Sequence, residues 1–124
     1  MTTPYREGQE QPTNLFDGIP TAKEMQAENE NLVAGWKLEG RKMARNQFML
    51  QRVIPAILGG LKRDLQYTIS NVYQSFTQDF SRRLDTAETL ANISGICEVL
   101  EEEFRSRGYK TKRLEPYGFQ ISVP

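Results

Sequence analysis

The chain contains no histidine, one cysteine and no net charge, with 16 basic residues against 16 acidic ones. Without histidine it lacks the commonest general base and the commonest metal ligand. A lone Cys97 excludes an intrachain disulfide. Its neighbours Ile93, Ile96 and Leu100 put it on the apolar side of a helix, where a thiol packs as a small hydrophobe. A balanced charge gives no global reason to expect nucleic acid or an anionic membrane as partner. No run approaches the roughly 18 apolar residues that span a bilayer, and residues 1–8 lack the apolar segment of a signal peptide. These absences predict a soluble protein made in a reducing compartment. No Gly-Lys-Ser/Thr loop, Gly-x-Gly-x-x-Gly or Cys-x-x-Cys is present, and Asp64, Asp79 and Asp85 have no spacing that suggests an acid–base pair. The expectation is a protein with no cofactor, no metal and no catalytic residue, and therefore not an enzyme.

What is there reads as a small α+β protein, mainly α with a C-terminal β-hairpin. Three helices are expected, the first long, after an extended N-terminal arm over residues 1–20. The 124 residues suffice for one core, so residues 21–124 read as a single helical domain ending in a hairpin at 109–123. Pro4, Gly8, Pro12, Asn14, Gly18 and Pro20 make the arm extended. Leu15, Phe16 and Ile19 interrupt its polarity. They either staple the arm onto the domain or form a short motif that docks on a neighbouring subunit.

Thr21 with Glu24 three residues later is a capping box. The helix it opens is expected to run to about Ile54. Met25, Leu32, Trp36, Met43, Leu50 and Ile54 fall on one seam, which Asn29, Glu39 and Gln47 interrupt. Gly35 and Gly40 each cost roughly 1 kcal/mol against alanine. A long helix with so thin a stripe needs a partner. Trp36 and Met43 read as core or helix–helix interface, with a ligand-stacking platform as the alternative for Trp36.

Pro55 and Gly59-Gly60 predict a kink or break. Gly59-Gly60 with Lys62 and Arg63 reads as that break, or as a phosphate cradle at a helix start. Leu61, Leu65, Ile69, Tyr73, Phe76, Phe80 and Leu84 recur at helical steps, while Leu65, Tyr67 and Ile69 also alternate as in a strand. The helical pattern explains more positions and predicts a helix over 61–84. Asp85 with Glu88 forms a second capping box, opening a helix from Thr86 to about Arg107 that Gly108 stops. Glu101, Glu102 and Glu103 point about 100° apart on it and read as a solvated face rather than a chelate. Phe119, Ile121 and Val123 alternate with polar residues, so one face of the last strand is buried. The strand before it carries Lys110, Lys112 and Arg113, the charge pattern of an edge strand. A lone hairpin is marginal in water, so it must lie on a helix or gain a third strand. Those three residues, with Arg105, Arg107, Tyr109, Tyr117 and Phe119 nearby, are also the best candidate anion or nucleic-acid contact.

The Pro20-Thr-Ala-Lys-Glu24 helix start, paired with Arg107-Gly-Tyr-Lys-Thr and Phe119-Gln-Ile-Ser-Val, resembles a pattern of small proteins of tailed bacteriophages. The resemblance covers about a quarter of the chain, and the 20-residue arm and the aromatic segment at 61–84 depart from it. It implies a viral origin and carries over no catalytic residue. The leading expectation is a structural or interaction protein of a phage virion. It would contact copies of itself or neighbouring virion proteins through Leu15, Phe16, Ile19, Trp36 and Met43. The alternative is a small viral regulator in the cytoplasm of an infected bacterium, binding a host protein, nucleotide or nucleic acid through Lys110, Lys112 and Arg113.

Overall fold

A computed structural model describes residues 14–124. A 3-10 turn at Leu15–Gly18 precedes α1 (Ala22–Ala44), α2 (Gln47–Asp64), β1 (Gln66–Ile69), α3 (Val72–Thr77), α4 (Ala87–Arg105), β2 (Lys110–Leu114) and β3 (Gly118–Ser122). The described residues are mainly helical with one small antiparallel sheet. The chain divides into two compact units, residues 1–30 and residues 31–124. Most of the arm expected over 1–20 lies outside the described residues.

In the first unit Asn14 caps the 3-10 turn, its side chain accepting from the Phe16 amide at 3.0 Å. The Thr21–Glu24 capping box forms as expected. The Glu24 amide donates to Thr21 Oγ1 at 3.1 Å, and the Thr21 amide donates to Glu24 Oε1 at 2.8 Å. No residue of α1 from Ala22 to Leu32 is buried.

The helix expected over 21–54 is two helices, and four α-helices stand among the described residues where three were expected. The break falls at Arg45–Asn46 and not at Pro55. Asn46 offers its side-chain oxygen to the Met49 amide at 3.1 Å and starts α2 afresh. α2 then runs through Pro55 and both following glycines. Proline removes one i→i−4 bond, here to the Gln51 carbonyl. Gln51 and Pro55 are both exposed, which leaves that oxygen open to solvent rather than buried without a partner.

The helix expected over 61–84 is not one element. Leu65 turns left-handed (φ 60°) and ends α2. Tyr67 and Ile69 then point inward from β1, which is the strand alternation in the same residues. Asn71 restarts a helix by accepting from the Gln74 amide at 3.0 Å, and α3 stops at a left-handed Gln78. Two short helical pieces flanking a four-residue strand reproduce a helical spacing by coincidence, and Phe80 is exposed.

The sheet order is β1-β3-β2, so the hairpin gains its third strand and β3 lies at the centre. Phe119 and Ile121 are fully buried, each stabilising the fold by about 1.5–3 kcal/mol. Val123 lies beyond the strand and is partly exposed, which ends the expected alternation one step early. β2 is an edge strand, as its charges predict. α4 supplies the largest share of the core, with Ile93, Ile96, Cys97, Val99, Leu100 and Phe104 all buried. Its cap is Thr86, which accepts from the Thr89 amide at 3.2 Å, while Asp85 is held by Arg83 at 3.0 Å instead. Gly108 adopts φ 90° and supplies the expected stop.

Candidate interaction surfaces

Leu15, Phe16 and Ile19 are 86%, 76% and 61% exposed. Leu15 and Phe16 on the capped turn and Ile19 at its C-cap make a short apolar knot in the chain, with Asp17 as the only charge between Asn14 and Pro20. Along α1, Met25, Leu32 and Leu38 are each about half exposed, and only Gly40 and Ala44 of its 23 residues are buried. Met43 packs against the core from a half-buried position. Trp36 is half-buried and is not part of the core cluster. The predicted contact residues therefore occur as two separate groups, the knot in the first unit and Trp36 with Met43 in the second.

The second unit ties the C-terminal half of α1 to α4 at very close range. A Cβ at Gly40 would overlap the Asn92 carbonyl, and one at Gly95 would overlap the Lys37 carbonyl. Glycine at both points lets the two backbones touch. Asn92, buried, donates its side-chain amide to the Trp36 carbonyl at 2.6 Å. Beside this crossing, Lys37 pairs with Glu98 at 3.0 Å, and Arg41 reaches Glu98 at 3.1 Å and Glu102 at 2.8 Å. Arg45 and Arg107 share Glu103, at 3.1 and 2.8 Å.

The glutamate run at 101–103 is thus paired rather than merely solvated. Its three carboxylates diverge, Glu101 towards Arg113, Glu102 towards Arg41, and Glu103 towards Arg45 and Arg107, as the helical angle requires. Arg113 grips Glu101 with two bonds of 2.9 Å. Hydrogen bonds from Arg113, Arg41 and Arg107 hold Glu101, Glu102 and Glu103 respectively below the usual carboxylate range. Arg41 is pushed up by its bonds to Glu102 and Glu98.

An apolar groove of about 400 Å³ opens between α2 and α4. Leu50, Ile54 and Leu58 form one wall, Val99, Leu100 and Phe104 the other, and Tyr109 adjoins them. Arg45, Glu103 and Arg107 edge it. Helical spacing places Leu50 and Ile54 on a seam and Leu100 on an apolar helix face, but nothing in the sequence says which of these residues stay accessible between two helices.

On the sheet, Lys110 and Lys112 are exposed and stand in register with Ser122 and Gln120 of β3, which in turn face Gln66 and Thr68 of β1. Arg113 alternates to the opposite face, with its charge met by Glu101. The rings of Tyr67 and Phe119 also belong to that opposite face. The two lysines therefore share their face with hydroxyls and amides, not with aromatic rings.

Gly59 and Gly60 lie inside α2, where the amides serve the helix, and Gly60 is covered by the Tyr67 ring. That removes the helix start a phosphate cradle needs. Burial pushes the Cys97 thiol up to about 11, in keeping with its packing role. No cluster of metal-ligating residues occurs among the described residues, and no described helix is long and apolar enough to cross a membrane. Comparison with family models, curated proteins and solved structures finds no match to this chain.

Proposed function

We propose that this chain is a non-enzymatic interaction protein that works as a repeated unit of a larger assembly. The observation that carries the reading is α1, a 23-residue helix whose first half buries nothing. A helical stretch shorter than about 12–15 residues is marginal in water without packing, and the unburied stretch Ala22–Leu32 falls below that length. Capping supports its start, but packing normally supplies most of a helix's stability, and Met25 and Leu32 offer an apolar stripe for it. The exposed knot at Leu15, Phe16 and Ile19 adds a second adhesive surface of the same character. Trp36 and Met43 contribute where α1 emerges from the core. In this reading residues 31–124 are the folded body, and the knot and α1 make contacts with neighbouring copies. The likeness of the helix start and the closing hairpin to small tailed-phage proteins makes a virion the natural setting.

The competing reading, a regulator that grips a host protein, nucleotide or nucleic acid through the hairpin, draws on Lys110 and Lys112. It lacks adjacent rings for base stacking, and Arg113 is already neutralised. The test is a full-length variant combining Met25→Glu and Leu32→Glu. Both side chains are half exposed, so the body should keep its melting transition while self-association is lost. Undiminished association in this variant counts against the role of α1.

A further inference from the structure

We infer that the groove between α2 and α4 receives the Leu15–Gly18 turn of a second copy of this chain. Phe16 and Ile19, three residues apart and so on one side of the turn, would fill its apolar trough, and Asp17 would meet the Arg45–Arg107 edge. The inference rests on the assembly reading above and names the receptor surface that reading leaves open.

Three features support the pairing. The donor turn is already shaped, because Asn14 caps it and the Ile19 amide closes it onto the Phe16 carbonyl at 3.1 Å. Ordering entropy, a main cost of docking a peptide, is therefore reduced. The acceptor has the right size and polarity. An apolar cavity of about 150 Å³ holds one benzene ring, so a groove of about 400 Å³ walled by Leu50, Ile54, Leu58 and Phe104 has room for two large side chains.

The charges also match. Arg45 and Arg107 converge on the single carboxylate of Glu103. With Lys37 and Arg41 included, four cations along this seam face three carboxylates, Glu98, Glu102 and Glu103. One positive charge is left over beside the groove, and Asp17 is the one charge the donor turn carries. An acidic residue next to two apolar anchors fits an apolar trough with a positive edge.

The contact is heterologous, because a turn of one copy enters a groove of the next. Such contacts close into a ring, a reciprocal exchange between two copies included, or repeat as a filament.

The experiment uses two full-length variants, Phe16→Ser, which blunts the turn, and Leu58→Glu, which blocks the groove. Both positions are exposed, and circular dichroism with thermal melting verifies that each variant folds. Light scattering over a concentration series should find self-association weaker by about tenfold or more in each, the scale set by withholding one large apolar side chain. Mixing the two should restore association. The intact groove of Phe16→Ser accepts the intact turn of Leu58→Glu, so a complex with one copy of each appears. Two folded variants that both lose association but fail to complement overturn the pairing. If neither substitution changes the assembly while Met25→Glu with Leu32→Glu abolishes it, the groove inference falls and the assembly reading stands. A wild-type chain that is monomeric throughout removes both.

Discussion

Two glycines five residues apart on α1 should respond to the same substitution with opposite signs. At Gly35 a new Cβ meets nothing within 4 Å. Alanine there gains helix propensity and limits the unfolded chain, stabilising the protein by about 0.5–1 kcal/mol. At Gly40 the Cβ would overlap the backbone of Asn92, which no rotamer change relieves. Forcing helices apart in this way costs about 1–3 kcal/mol, against roughly 1 kcal/mol of propensity gained. Separation would also stretch the 2.6 Å bond from Asn92 to the Trp36 carbonyl and shift the Arg41 pairs, which argues for the upper end of that cost. The net expectation is a loss of about 2 kcal/mol, or a fall in Tm of very roughly 8 °C for a domain of this size, while Gly35→Ala raises Tm by a few degrees. Urea unfolding followed by circular dichroism gives the midpoints, with an unchanged slope verifying that the same transition is compared. If Gly40→Ala stabilises as Gly35→Ala does, α1 and α4 do not cross at Gly40 and the described packing is wrong.

Acid should weaken the body through its glutamates. Glu101, Glu102 and Glu103 titrate below their ordinary value because arginines hold their charged forms. The stability they contribute is complete above the unfolded glutamate value of about 4.3 and is lost as pH falls through their lower folded values. Melting temperature should be level from neutral pH towards 5 and decline below that, and Glu101→Gln, which removes the most enclosed of the three, should shrink the decline. Cys97, buried and raised to about 11, should react with a thiol reagent at neutral pH only as fast as the body opens. Rapid labelling of the native chain would contradict its burial. Charge reversal by Lys110→Glu with Lys112→Glu should leave self-association unchanged, as read by light scattering, because both lysines lie on the wet face of the sheet.

The sequence made the C-terminal third legible because its signals were local and agreed with one another. A capped helix start, an apolar stripe, Gly108 and a period-two strand each pointed to the same elements, and α4, β2 and β3 formed within a residue or two of expectation. The middle was misread because two periodicities coincided over Leu65, Tyr67 and Ile69. What decides between them is the pairing of β1 with β3, some fifty residues distant. Asn46 outweighed Pro55 as a helix boundary for a related reason. A side-chain cap acts wherever the backbone turns, whereas an exposed proline costs one bond that water replaces. The knot residues were visible as an apolar interruption in a polar arm, and all three are exposed. The groove was invisible, since accessibility between α2 and α4 depends on how far apart packing holds them.

The knot and the exposed half of α1 are the proposed contacts between copies. The most direct measurement is the solution mass of the full-length chain by multi-angle light scattering across a wide concentration range. A mass rising to multiples of 14.3 kDa, and falling back in the variant with Met25→Glu and Leu32→Glu, is the predicted result. A mass of 14.3 kDa at every concentration, with the amides of Ala22–Leu32 still protected from hydrogen exchange, would contradict it, because α1 would then be stable with no partner.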